Sequence, residues 1–261
     1  MIRRSLPALL FLVVLNLEAQ SSIEIRVPGS QTKPSYLQSL LTEAFEAVHQ
    51  PVHFVPMGFV PIGRREAMLA DGRLTVASMG ETASRDAAFL PLKVPITDHL
   101  EGMRLLLIPR GAQHAYDGVK TLDDFRRLGK VAGGGDSWAE GPVWAKNGLP
   151  YQGMTGNWRF LFSMVAAGNR GIDYLPRGAN EVTLDLALHP DLVLERHLLF
   201  VYPGDHIVYL TPRHPEFQRI FEAALARARS SGIIHRLVRT WYPEVFGPAL
   251  GLDQRVVLPL E

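Results

Sequence analysis

The chain has 261 residues, of which 47% are hydrophobic and 20% charged, with a formal net charge of +1; this is the balance of a globular protein large enough to bury its own core. Its 27 Lys and Arg against 26 Asp and Glu are scattered, so the basic footprint of a nucleic-acid binder is absent. The complete lack of cysteine excludes a disulfide framework, a thiol nucleophile, a zinc ribbon and a lipid-attachment cysteine.

Arg3 and Arg4 precede an apolar run over 6–17. That run fits the apolar region of a secretory signal and falls short of the roughly 20 residues that span a bilayer. A signal peptide is therefore expected over 1–19, with the mature protein starting near Gln20. Ile23–Val27 alternates apolar and polar residues and reads as a strand ended by Pro28-Gly29-Ser30. Tyr36, Leu37, Leu40, Leu41, Ala44, Phe45 and Val48 then recur at helical spacing. A strand over 52–56, a helix fragment over 65–70 and a strand over 74–78 complete a β-α-β-α-β series, the pattern of an α/β layer. The apolar run over 103–108 is a strand, stopped by Pro109-Arg110-Gly111. A second α/β series follows: a short helix over 123–128, a strand near 130–132, a Gly133-Gly134-Gly135 turn, a helix over 160–167 and a strand over 171–175. Segments 192–194, 198–202 and 207–210 read as extended, and helices are expected over 215–228 and 233–241.

Two α/β series without a linker predict two lobes joined by crossing strands, with a ligand cleft where the carboxyl ends of their strands face each other. The expected first lobe is 20–107 plus 203–261, and the second is 108–202. The hinge is expected along the strand over 103–108 and its return near 200–203. The nine histidines show no metal-binding spacing, and no metal or cofactor is expected.

Five stretches, in this order, carry a family resemblance. They are the opening strand and helix over 23–48; Met68-Leu69-Ala70-Asp71-Gly72-Arg73-Leu74; and Gly80-Glu81-Thr82-Ala83-Ser84-Arg85 with the apolar segment 92–96 after it. The fourth pairs Thr121-Leu122-Asp123-Asp124-Phe125 with Gly135-Asp136-Ser137-Trp138-Ala139-Glu140. The fifth is Met164-Val165-Ala166-Ala167-Gly168 running into Gly171-Ile172-Asp173. Together they resemble the family 3 extracellular solute-binding proteins, the amino-acid-binding branch of the periplasmic binding proteins, over nearly the whole mature chain. The resemblance implies the type II two-lobed α/β fold, each lobe a mostly parallel sheet flanked by helices. It also implies a monomeric periplasmic protein that captures a small carboxylated solute, an amino acid or related organic acid, for an ABC-type membrane permease. A sensory partner of a signalling receptor is the alternative, as is a dehydratase-like enzyme using Glu81, Asp136, Asp173 or Glu181.

Arg85 matches the family's arginine that holds the ligand carboxylate, a task suited to a planar, permanently charged fork of donors. Pairing with Asp86 or Glu81 is the competing reading. Ser78, Gly80 and Thr82 match the stretch that offers hydroxyl and N–H groups to the same carboxylate. Asp136 and Ser137, after three glycines, would present backbone donors to an anion or cap a helix. Tyr36, Phe59, Trp138 and Trp158 would wall the ligand or pack in the core. The chain departs from the family where a carboxylate usually follows the Gly-x-x-Asp turn, because Arg177 and Gly178 stand there. A second arginine opposite Arg85 favours a ligand with two anionic ends or an acid lacking an α-ammonium. Buried without a ligand, Arg177 would need a counter-charge such as Glu181.

Overall fold

The computed structural model describes residues 21–261; the expected signal peptide over 1–19 lies outside the described residues. The chain opens with β1 (Ile23–Val27), α1 (Tyr36–Glu46), β2 (Val52–Pro56), α2 (Ile62–Ala70), β3 (Val76–Gly80), α3 (Ala83–Ala88) and β4 (Leu90–Leu92). It continues through β5 (Met103–Pro109), α4 (Leu122–Arg127), β6 (Ala132–Gly135), α5 (Glu140–Lys146), β7 (Tyr151–Met154), α6 (Phe160–Ala167), β8 (Leu175–Gly178), α7 (Val182–Leu188), β9 (Leu192–Leu194) and β10 (Leu198–Val201). It ends with β11 (His206–Leu210), α8 (Gln218–Ser230), α9 (Ile233–Trp241) and β12 (Val256–Pro259).

Local chemistry explains the first helix. The Ser35 hydroxyl accepts from the Gln38 amide while the Gln38 side chain returns to the Ser35 N–H, a capping box that satisfies two otherwise orphaned donors. The face this start selects buries Leu37, Leu40, Leu41, Ala44 and Phe45. Phe45 meets Phe221 of α8 edge-on with ring centroids 4.8 Å apart, a geometry that adds about 0.5–1.5 kcal/mol beyond area burial. Beneath these helices β1 pairs with β2 in parallel, while β11 runs antiparallel between β3 and β4. Thr75 ties β1 to the start of β3 by receiving and giving hydrogen bonds at Arg26. This half of the molecule is the first lobe.

The second lobe is built on β5, which pairs antiparallel with β10, β8 and β9, while β6 pairs in parallel with β7 and bridges to Tyr174 just before β8. Its aromatic core centres on Phe125, which packs against Tyr116, Tyr174 and Phe200. The sheets are thus mixed, where mostly parallel ones were expected: the strands that cross between the lobes return alongside each other and can pair only in opposite senses. The expected Gly133-Gly134-Gly135 turn is strand β6. A Cβ added at these glycines would meet Ile172 at 2.7 Å, the Tyr151 hydroxyl at 1.9 Å and the Trp138 indole nitrogen at 2.5 Å, so bare backbone is what lets those side chains lie across the strand.

The crossing is made where Met103 and Arg104 pair with Val201 and Phe200. A further crossing departs from the expectation that 203–261 belongs wholly to the first lobe. Strand β12 pairs in parallel with β10 of the second lobe, and just beyond it the Glu261 amide and carbonyl bond to the Asn147 side chain.

Candidate functional site

Loops from the carboxyl ends of β1, β2 and β3 face the loop after β6 and the strand β8, and two chambers fill the space between them. The larger is about 640 Å³ and reaches Arg85, Arg104, Trp138 and Glu140. The smaller is about 460 Å³ and is walled by Tyr36, Ile96, Phe162, Leu184 and Tyr242. Arg65, Ser78, Trp158, Arg177, Glu181 and His206 line both.

Arg85 is set by the short helix α3. Thr82 caps that helix by accepting from the Arg85 amide at 3.3 Å, which occupies the Thr82 hydroxyl in turn chemistry although the residue still lines the larger chamber. The guanidinium is buried and its donors are spread over three partners: Nε to Glu66 at 2.9 Å, Nη1 to the Gly80 carbonyl at 2.7 Å and Nη2 to the Ser137 carbonyl at 2.7 Å. The last bond joins the two lobes. Beside it, a Cβ on Gly80 would lie 3.1 Å from the Ala139 Cβ, so Gly80 permits the close approach of the lobes. Ser137 therefore enters the site through its backbone carbonyl. Asp136 does not line either chamber; it is exposed and accepts from the Thr155 hydroxyl at 2.9 Å. Tyr36 lines the smaller chamber with its ring, and its hydroxyl donates to the Ile96 carbonyl. Phe59 stands exposed at the rim, where the Arg159 guanidinium lies 4.8 Å from its ring centroid.

The opposite wall is a charged cluster. On β5, Arg104 is buried and reaches Glu101 at 3.2 Å, Glu181 at 3.3 Å and the Tyr202 hydroxyl at 3.2 Å, and it also pairs with buried Glu140. On the neighbouring strand β8, Arg177 is buried with Nε 2.5 Å from Asp185 and Nη2 3.0 Å from Glu181. Its guanidinium carbon lies 5.2 Å from the Trp138 ring and 5.1 Å from Trp158. Arg177 thus meets the expected counter-charge, Glu181, and a second one, Asp185, within the protein. Burial pushes the Glu181 carboxyl up, yet Arg177, Arg104 and His206 outweigh it and hold the group below the usual carboxylate range. Burial wins at Glu101, which sits above that range despite His206 and Arg104, and at Asp185, despite Arg177.

Arg65, Glu101, Arg104, Glu140 and His206 were not among the expected site residues. Arg104 carried a legible signal, a single charge inside an apolar strand, which is costly unless paired. Glu101 and His206 meet only because β5 and β11 leave the crossing together; their closest approach, Nδ1 to Oε1, is 3.5 Å, and no sequence spacing encodes it. Among the described residues no group of His, Cys, Asp and Glu is arranged to hold a metal ion, and no helix is long and apolar enough to cross a membrane.

No family model matches the sequence, and no curated protein sequence does. Solved structures match it at low identity. An ancestral arginine-binding protein bound to arginine superimposes with a TM-score of 0.58 at 15% identity, covering 84% of this chain and 98% of that one. A periplasmic His/Glu/Gln/Arg/opine family-binding protein from Silicibacter pomeroyi in complex with lysine gives 0.59 at 12%, covering 85% and 98%. The GluR0 ligand-binding core complexed with L-glutamate gives 0.58 at 12%, covering 86% and 99%. These likenesses establish the fold, the two-lobed α/β architecture of type II periplasmic binding proteins.

Proposed function

We propose that the protein is an extracytoplasmic solute-binding protein that closes around a small carboxylated solute and performs no chemistry on it. The observation that carries this reading is the Arg85–Ser137 hydrogen bond, by which the first lobe grips the second across a cleft of about 640 Å³. A cleft that closes by hinge bending needs contacts present in the closed form alone, since only these shift the equilibrium between open and closed. In this reading the first lobe runs from the mature start through the Glu101 turn and resumes after Tyr202, with β12 docked on the second lobe. The amino-acid ligands of the neighbours, arginine, lysine and glutamate, support a carboxylated solute, and delivery to a membrane permease is the partner function we assign.

Binding without chemistry is favoured because two of the acids available to an acid–base enzyme, Asp136 and Asp173, line neither chamber of the cleft. Asp136 is held by Thr155, and Asp173 by Lys130 and the Val131 amide. The test is a thermal-shift screen of the mature chain against amino acids, dicarboxylates, keto acids and aromatic acids. A true ligand at 100 times its Kd adds about 2.7 kcal/mol and should also reduce the radius of gyration in X-ray scattering. A screen in which no acid raises the melting temperature sinks the proposal.

A further inference from the structure

Resting on that reading of the cleft, we infer that Arg65, on α2, is the residue that holds the ligand's carboxylate, and that Arg85 beside it acts mainly as the latch between lobes. The two guanidiniums flank the end of the same strand. Arg85 donates to the carbonyl of Gly80 and Arg65 approaches the carbonyl of Ser78 at 3.5 Å, positions about 7 Å apart along β3. Their partners differ in kind. Arg85 has Glu66 as a counter-charge and two main-chain oxygens besides. Arg65 has the Val60 carbonyl at 2.7 Å and the distant Ser78 carbonyl.

No carboxylate lies within ion-pair distance of Arg65 among the described residues, and burial alone shifts its guanidinium, downward from the usual value. Each of the other arginines deep in the cleft, Arg85, Arg104 and Arg177, is paired with at least one acid. A half-buried cation without a partner is unfavourable, and a ligand anion relieves the cost. Position completes the argument, because Arg65 lines both chambers. An anion bound to it would sit at their junction, with room for the rest of the molecule on either side. The unused N–H groups of its fork suit the two oxygens of a carboxylate.

The experiment is isothermal titration calorimetry of the mature chain with L-glutamate, L-arginine, succinate and phenylpyruvate, and with the primary amide of each acid that binds. R65Q should weaken every acid that binds wild type by about tenfold or more, the loss of a charge-assisted pair, while changing the amides little. R65K, which keeps the charge and loses the fork, should recover part of the affinity. R85Q should weaken acid and amide alike, because it acts through closure. Unliganded melting curves of the variants, close to wild type for R65Q, show that the fold survives. An acid that R65Q binds within threefold of wild type, but whose binding R85Q abolishes selectively over its amide, overturns the inference and leaves the solute-binding reading standing. If none of the four acids binds wild type, both fall.

Discussion

The two walls of the cleft hold their arginines in opposite ways. On the β5–β8 wall, Arg104 and Arg177 meet Glu101, Glu140, Glu181 and Asp185, so each cation has acid partners without a ligand. On the β3 wall, Arg65 and Arg85 have, among the described residues, only Glu66 as an ion-pair partner and otherwise use carbonyls. The β5–β8 wall is therefore a preformed, acidic scaffold, and the β3 wall carries the positive charge left to be answered. Paired charges hold the shape of their wall, whereas a cation without a counter-charge gains by meeting an anion.

The largest way to break this comparison is Arg104→Met. Removing the guanidinium leaves Glu101 and Glu140 buried with little compensation, a loss that costs about 3–5 kcal/mol in comparable buried networks. Urea denaturation should show a lower midpoint with an unchanged slope. If the midpoint barely moves, the wall is not the scaffold described. Arg85→Gln should cost less, about 1–3 kcal/mol for the charge-assisted bonds it removes. Its signature is structural: the contraction in radius of gyration that a saturating ligand brings to wild type should be reduced or lost in Arg85→Gln, whereas Arg65→Gln, once saturated, should contract as wild type does.

How the sequence encodes these walls explains what it revealed. Strands β1 and β5 and helices α1 and α9 are legible because each buries one face or a whole run, and periodicity reports burial directly. Helix α3 has too few turns to show a period, and only the Thr82 cap marks it. Strand β6 is hidden because its glycines serve neighbouring side chains, and glycine usually signals a turn. Within the site, the alignment of motifs brings Ser78, Gly80, Thr82, Arg85, Trp138 and Arg177 to the cleft. It does not reveal that Arg85 is occupied by the protein, because one of its partners, Ser137, is far along the chain, nor that Arg65 is open, because no spacing encodes the lack of an acid beside it among the described residues.

Gly80→Ala sharpens the comparison at smaller amplitude. The added methyl group would press on Ala139 at 3.1 Å, tight enough to move the walls apart by a few tenths of an ångström without disturbing either network. Overpacking of this kind costs about 1 kcal/mol when the contact can yield. It should appear as weaker binding of every solute, acid or amide, with little change in the melting temperature of the unliganded protein. A selective loss of acids would instead place Gly80 in the anion site itself.

The smallest expected effect is a difference in pH response between two acids of the scaffold. Glu181 is held below its ordinary range by Arg177 and Arg104, which outweigh its burial. Its stabilisation is therefore present above the unfolded pKa of about 4.3 and lost as pH falls through the lower folded value. Glu101 is displaced upward by burial, so the folded state holds its proton more tightly, and stability declines as pH rises from the unfolded value through the raised one. Glu101→Gln should compare more favourably with wild type at pH 8 than at pH 4.5, whereas the penalty of Glu181→Gln should persist at pH 8 and shrink below pH 4. Melting curves across this range decide it. If the two variants run parallel to wild type, the two acids share one environment, and the division of labour within the β5–β8 wall dissolves.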